Sequence, residues 1–183
     1  MTVKAIALAV LFTLAAALVS AAPALQQTAT TLATHLVLYT GASTALVRQT
    51  STVRLHEGEN LVTFAWTSDK LDAASVRLHA PAEVTVGETV RPAGAPKSLQ
   101  WALTAQADGL VPVTVSYRLG GLNWTPSYRL VWEPGATEAM LRGWLTVTND
   151  SGVDLTSVQT QLVLGRPGAS TGPDGPVSFP IPD

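Results

Sequence analysis

Apolar and polar residues alternate with a period of two along most of this chain, and no stretch holds the 3.6-residue period of a long helix. The alternation is clearest from Val111 to Trp132. There Val113, Val115, Tyr117 and Leu119 interleave with Thr114, Ser116 and Arg118, which predicts a half-buried strand. Gly120 and Gly121 permit positive φ and a hairpin-like break, and Pro126 sets the re-entry into an extended segment. Tyr128, Leu130 and Trp132 then resume the alternation.

The other expected strands lie on either side of this pair. Upstream, strands begin at His35 after an Ala/Thr/Gln-rich stretch, Leu25 to Thr34, that reads as a loose leader. In the segment from Ala45 to Leu55, Ala45, Val47, Val53 and Leu55 share one face, while Arg48, Thr50, Thr52 and Arg54 share the other. Glu57 to Asn60 is a turn cluster, and Leu61 to Trp66 is the return strand of a hairpin. Thr67 to Ala73 has room for one helical turn, with Ser68 as its cap. Short strands follow at Ser75–His79, with Val76 and Leu78 inward, and at Ala82–Val90, with Val84, Val86 and Val90 on the apolar side. Downstream, Leu99, Trp101 and Leu103 open a strand that ends in the Ala107–Gly109 turn. Met140 to Asn149 is a strand in which Leu141, Trp144 or Leu145, and Val147 compete for the inner face. A turn at Asn149–Gly152 precedes the last strand, Val158 to Leu164.

Strands recurring every roughly 8 to 14 residues, with turns between them, predict an all-β protein of antiparallel β-sandwich-like units. Two prolines and a glycine within Arg91–Pro96 break both periods. That segment reads as a linker or long hairpin at 91–96, joining two small β domains or halves at 35–90 and 97–165. Residues 166–183 form a Pro/Gly-rich tail.

Composition adds a location. Met1 to Ala24 has the parts of a secretory signal: Lys4, an uncharged apolar run from Ala5 to Val19, and small residues that allow cleavage after Ala21 or Ala24. The apolar run, about 15 residues, is shorter than the roughly 20 that span a bilayer. No later stretch is long and apolar enough to do so. The expectation is an exported protein, periplasmic or on the cell surface, with no transmembrane segment after cleavage. Charged residues make up 13% of the chain, about half the roughly 25% of an average soluble domain. The net charge of −2 gives no basic footprint for nucleic acid. Cysteine is absent, which removes disulfides and thiolate chemistry together.

Two stretches carry a family resemblance. The first is Y-T-G-A-S-T-A-L-V-R-Q-T-S-T-V-R-L-H-E-G-E-N-L-V-T-F (Tyr39 to Phe64) with L-D-A-A-S-V-R-L (Leu71 to Leu78). The second is V-T-V-S-Y-R-L-G-G-L-N-W-T-P-S-Y-R-L (Val113 to Leu130) with G-W-L-T-V-T-N-D-S-G-V-D-L (Gly143 to Leu155). They resemble the N-terminal β domain and the start of the C-terminal domain of the bacterial mucoidy-inhibitor-like family, whose paired domains have no assigned function. In the second stretch the G-x-x-W-x-P-x-Y core falls on Gly121, Trp124, Pro126 and Tyr128, and the N-D-S-G-x-D segment on Asn149 to Gly152 and Asp154. That family usually has a long coiled coil between its domains and continues well past the strand ending near Leu164. The resemblance therefore implies a short variant or a truncated reading frame, and it brings no reaction.

No arrangement of side chains here spells catalysis. His35, His56 and His79 are not at ligand spacing on one element, and zinc needs three or four convergent ligands. The pairs Glu57/Glu59, Asp69/Asp72 and Asp150/Asp154 sit in turns, where carboxylates bond to nearby amides or water. There is no G-x-S-x-G elbow and no phosphate loop. No cofactor, metal site or catalytic residue is expected. Of the five tryptophans, Trp101 and Trp132 fall on apolar faces and are expected in the core. Trp124, in the turn, suits packing or exposure equally. Tyr117, Trp124 and Tyr128 are therefore the candidate interaction surface. The expected function is a non-catalytic structural or interaction module of the cell envelope, with an envelope protein or glycan as partner. A carbohydrate-binding module using these aromatics is the alternative, and a fragment of a larger envelope hydrolase the second.

Overall fold

The computed structural model describes residues 24–26, 29–40, 42–164 and 178–180. The candidate signal segment before Ala24 and most of the Pro/Gly-rich tail lie outside these residues. The fold is all-β, in a sandwich-like arrangement of small sheets. In chain order the strands are β1 (Ala24–Gln26), β2 (Ala29–Tyr39), β3 (Thr44–Leu55), β4 (Gly58–Ala65), β5 (Leu71–His79) and β6 (Val84–Val90). They continue with β7 (Ser98–Ala105), β8 (Gly109–Gly120), β9 (Leu122–Val131), β10 (Met140–Asn149), β11 (Val158–Val163) and β12 (Ser178–Pro180).

Ten of these strands make two sheets. One is six-stranded, in the order β12-β11-β2-β3-β8-β5, and the other is four-stranded, β1-β4-β7-β6. Neighbours are antiparallel except β11, which runs parallel to β2. Alternation fixes what each sheet buries. Along β3 the odd-numbered residues from Ala45 to Leu55 are buried, and the register sets Val47 beside Tyr117 and Ala45 beside Leu119 on β8. On the opposing sheet Val62 and Phe64 of β4 and Trp101 and Leu103 of β7 point inward. Phe64 meets Tyr117 across the interior, ring centroids 5.5 Å apart, so the two sheets share one core. Each buried aliphatic or aromatic side chain there contributes roughly 1.5–3 kcal/mol of transfer free energy.

Two separate β halves are not what these residues build. β7 pairs with both β4 and β6, and β8 with both β3 and β5, so strands from either side of 91–96 interleave in both sheets. Arg91–Pro96 is the connection of the β6–β7 hairpin, closed by the Ala95 amide donating to the Pro92 carbonyl. Turn and linker use the same residues, because both need a break in the ladder. The composition therefore marks the break and leaves its role open.

Smaller corrections have equally local causes. The Leu25–Thr34 stretch is not a loose leader: β1 pairs with β4, and β2 pairs with β3 from Ala29 on, with an irregularity between Thr31 and Ala33. Thr67 to Ala73 forms no helical turn. The Lys70 amide donates to Ser68 Oγ, whose hydroxyl donates to the Ser151 carbonyl, and β5 starts at Leu71. On β6, a sheet edge, Val84 is buried, but Val86 and Val90, on either side of a register shift between Val86 and Thr89, are exposed.

Candidate functional site

The two remaining strands, β9 and β10, form a separate antiparallel ribbon. Its register runs from Leu122↔Asn149 at the root to Val131↔Met140 near the tip, ten residue pairs, or about 33 Å of strand. The root is where sequence forces a change of sheet. Gly121 takes φ +80°, a conformation costly for any side chain, and turns the chain out of β8 into β9. Its amide donates to the Ser43 carbonyl, and its own carbonyl accepts from the Asp150 amide at 2.7 Å. A β-carbon at Gly121 would lie 2.7 Å from the Asp150 carbonyl oxygen, so only glycine fits this junction. Lys70 Nζ donates to that same carbonyl. On the returning side the Asn149 carboxamide accepts from the Ser151 amide and hydroxyl and donates to the Val153 carbonyl.

Leu122 and Trp124 anchor the root in the sandwich core, where β9 lies against β2 and β3. Among the described residues Trp124 Nε1 is buried with no hydrogen-bond partner, at a cost of about 1–3 kcal/mol. Further out the burial ends. Every residue of β10 is exposed, and so is β9 from Ser127 onward.

Directly opposed residues share a face, so the register divides the ribbon in two. One face carries Tyr128, Leu130, Leu141, Leu145 and Val147, with Pro126 between them, and holds no ionisable group but the Tyr128 phenol. The Tyr128 ring covers Gly143, whose β-carbon would sit 3.2 Å from Tyr128 Cδ1. At the root this face runs into the core through Trp124 and Leu122. The other face carries Arg129 directly opposite Arg142, together with Trp144, Thr125 and Thr146. Glu133 and Glu138 lie in the connection at the tip, beyond Trp132.

The candidate surface Tyr117–Trp124–Tyr128 is thus taken apart. Tyr117 is fully buried on β8, its hydroxyl donating to Gln49 Oε1 at 3.2 Å, and burial pushes its phenol far above the ordinary range. Trp124 is 4% exposed, and Tyr128 alone of the three is open, at 68%. The glycine pair does not fold β9 back on β8 but redirects it into another sheet, which sends Trp124 inward. Trp132 reverses in the other direction: expected in the core, it is 67% exposed. Trp101 lies in the core. Of the competing residues on β10, the register puts Leu141, Leu145 and Val147 on one face and Trp144 on the other, and no second sheet covers either. The signal that could have located the ribbon is the even apolar spacing of Tyr128/Leu130 on one strand and of Leu141/Leu145/Val147 on the next. It is a signal for a shared face only.

The polar side chains are dispersed. His35, His56 and His79 are exposed on β2, the β3–β4 turn and the end of β5. Among the described residues no group of three or more His, Asp or Glu comes together as a metal site. His56 Nδ1 is 3.4 Å from Asp108 Oδ2, and Asp108 Oδ1 accepts from the Glu57 amide at 2.7 Å. That amide first, and the imidazole second, hold the Asp108 carboxyl below its usual range. The pair ties the β3–β4 turn to the β7–β8 turn. Asp69 pairs with Lys97, and Asp72 with Arg118. A cleft of about 320 Å³ beside the β2 irregularity is lined by Thr31, Thr34, Gln49, Asp154 and Ser157 among others. Its lining brings a single carboxylate and no histidine, lysine or arginine. No helix among the described residues is long and apolar enough to cross a membrane.

Comparisons with protein-family models, with curated proteins and with solved structures found no match for this chain.

Proposed function

We propose that this is an exported, non-catalytic β protein that acts as an interaction module of the bacterial cell envelope, with the β9–β10 ribbon as its contact element. One observation carries the reading. Tyr128, Leu130 and Leu141 stand 54–68% exposed on a single ribbon face that bears no charged side chain. Contiguous apolar patches above a few hundred Å² on a folded protein mark interaction sites. The signal-like segment Met1–Ala24, the low charge and the resemblance to the mucoidy-inhibitor-like family support the envelope as the setting. A glycan-binding reading draws support from the exposed rings of Tyr128 and Trp132, since Trp124 is buried.

The test is a photo-crosslinking residue placed at Tyr128, with Leu61 on the sandwich surface as control, in cells that are then fractionated. The expected result is a chain lacking its leader in the envelope fraction, with adducts from position 128 and none from 61. A chain retained in the cytoplasm with its leader intact, or no adduct at 128, would refute the proposal. Retention on peptidoglycan or exopolysaccharide that Tyr128→Ala abolishes would favour the glycan reading.

A further inference from the structure

The ribbon face raises a narrower question: what covers it. We infer that a second copy of this chain does, the two ribbons stacked antiparallel through their uncharged faces about a two-fold axis. This deepens the interaction-module reading and rests on it.

Area comes first. Tyr128, Leu130, Leu141, Leu145 and Val147 are 48–68% exposed, which leaves roughly 500 Å² of apolar surface on one side of a two-stranded ribbon. Two such faces stacked would bury roughly 1,000 Å² in total, the lower bound of a specific interface. The exposed part of this face, from Val147 opposite Trp124 to Leu141 opposite Leu130, is seven residue pairs, or about 23 Å of strand. A second ribbon has that length.

Charge selects the face and the direction. Stacking through the opposite face would bury Arg129 and Arg142 of both copies, four guanidiniums with no carboxylate on that face to pair with. Stacking through the uncharged face leaves them in water. In a parallel stack Glu133 and Glu138 of both copies would crowd at the tips, whereas the antiparallel stack separates them by more than the roughly 8–10 Å screening length. Matching follows from symmetry. A heterologous partner is selected by charges and hydrogen-bonding groups, and this face offers little of either beyond the Tyr128 hydroxyl. An identical face is matched to it in polarity and width on a two-fold axis.

A lipid surface fits less well. The element that would enter first is the connection bearing Glu133 and Glu138, which an anionic bilayer repels.

Sedimentation equilibrium of the full chain tests the inference, with Leu130→Asp/Leu141→Asp as the variant and circular dichroism as the check on folding. Both side chains are exposed, so the fold should survive. The expected result is a wild-type dimer whose dissociation constant rises by more than about a hundred-fold in the variant. A wild-type monomer, or association unchanged by the two aspartates, would overturn it. So would a monomer that floats with anionic lipid vesicles. The cysteine-free sequence allows a second measurement. Tyr128→Cys, near the middle of the exposed face, should form a disulfide with its own copy, and Leu130→Cys, closer to the tip, should do so more slowly. Faster self-crosslinking at Leu130 would overturn the antiparallel arrangement. In the envelope experiment an adduct of position 128 with a different protein would refute the dimer while leaving the interaction module standing.

Discussion

Leu119 and Leu130 stand eleven positions apart on consecutive strands, both in alternating runs, both with apolar neighbours two residues away. Leu119 is fully buried and Leu130 is 54% exposed. Tyr117 and Tyr128 repeat the contrast, at 0% and 68%. The sandwich and the ribbon are written in the same local pattern. They differ in what lies opposite: β8 faces the four-stranded sheet across a shared core, and β9 leaves that core after Trp124. Alternation says which residues share a face, and a second layer says whether the face is dry.

The contrast can be broken most forcefully by removing equal side chains from the two regions. Leu119→Ala should cost about 2–5 kcal/mol, the lost transfer energy plus a cavity. Leu130→Ala in dilute solution should stay within about 0.5 kcal/mol. Urea midpoints of the two variants check this, and comparable losses would mean that the ribbon is packed on the sandwich.

Next in size is the joint between the regions. Gly121 and Gly135 have similar φ, +80° and +86°. A β-carbon at Gly121 meets the Asp150 carbonyl at 2.7 Å, and one at Gly135 meets nothing within 4 Å. Gly121→Ala should therefore cost about 1–3 kcal/mol of backbone strain plus the displaced Asp150 contact, and Gly135→Ala about 1 kcal/mol. Hydrogen exchange at the Asp150 amide should quicken in the first variant only. Unchanged protection there would show that the root tolerates the clash.

The smallest effect concerns pH. Burial raises the Tyr117 phenol above the ordinary value of 10.0, so above about pH 10 the unfolded chain gives up a proton that the folded chain keeps. Its contribution is fully present below pH 10 and falls as pH rises. Tyr117→Phe should lose about 1 kcal/mol at neutral pH, with the Gln49 carbonyl left unpaired. Its urea midpoint should also fall less steeply than that of the wild type between about pH 9 and 11. Parallel slopes would mean that the phenol ionises in the folded state.

Much of the architecture was legible because strands announce themselves locally. The inward face of β3, the Leu61–Trp66 return, the Asn149–Gly152 turn and the core position of Trp101 all follow from alternation and turn chemistry. The site was less so. A glycine pair in an alternating run ordinarily makes a hairpin turn, and that expectation puts Trp124 in the turn. Here the bend feeds a new sheet, and the decisive contacts, Gly121 with Ser43 and Asp150, join residues far apart in the chain.

What the sequence determined by itself is the class of structure and the membership of each face, since both depend on neighbours one and two positions away. Pairing partners are another matter. The parallel docking of β11 on β2, the interleaving of strands across Arg91–Pro96 and the departure of β9–β10 from the core were decided only by tertiary structure. Each depends on which distant backbone edge and which apolar layer are free to receive a strand, and a period of two carries no information about either.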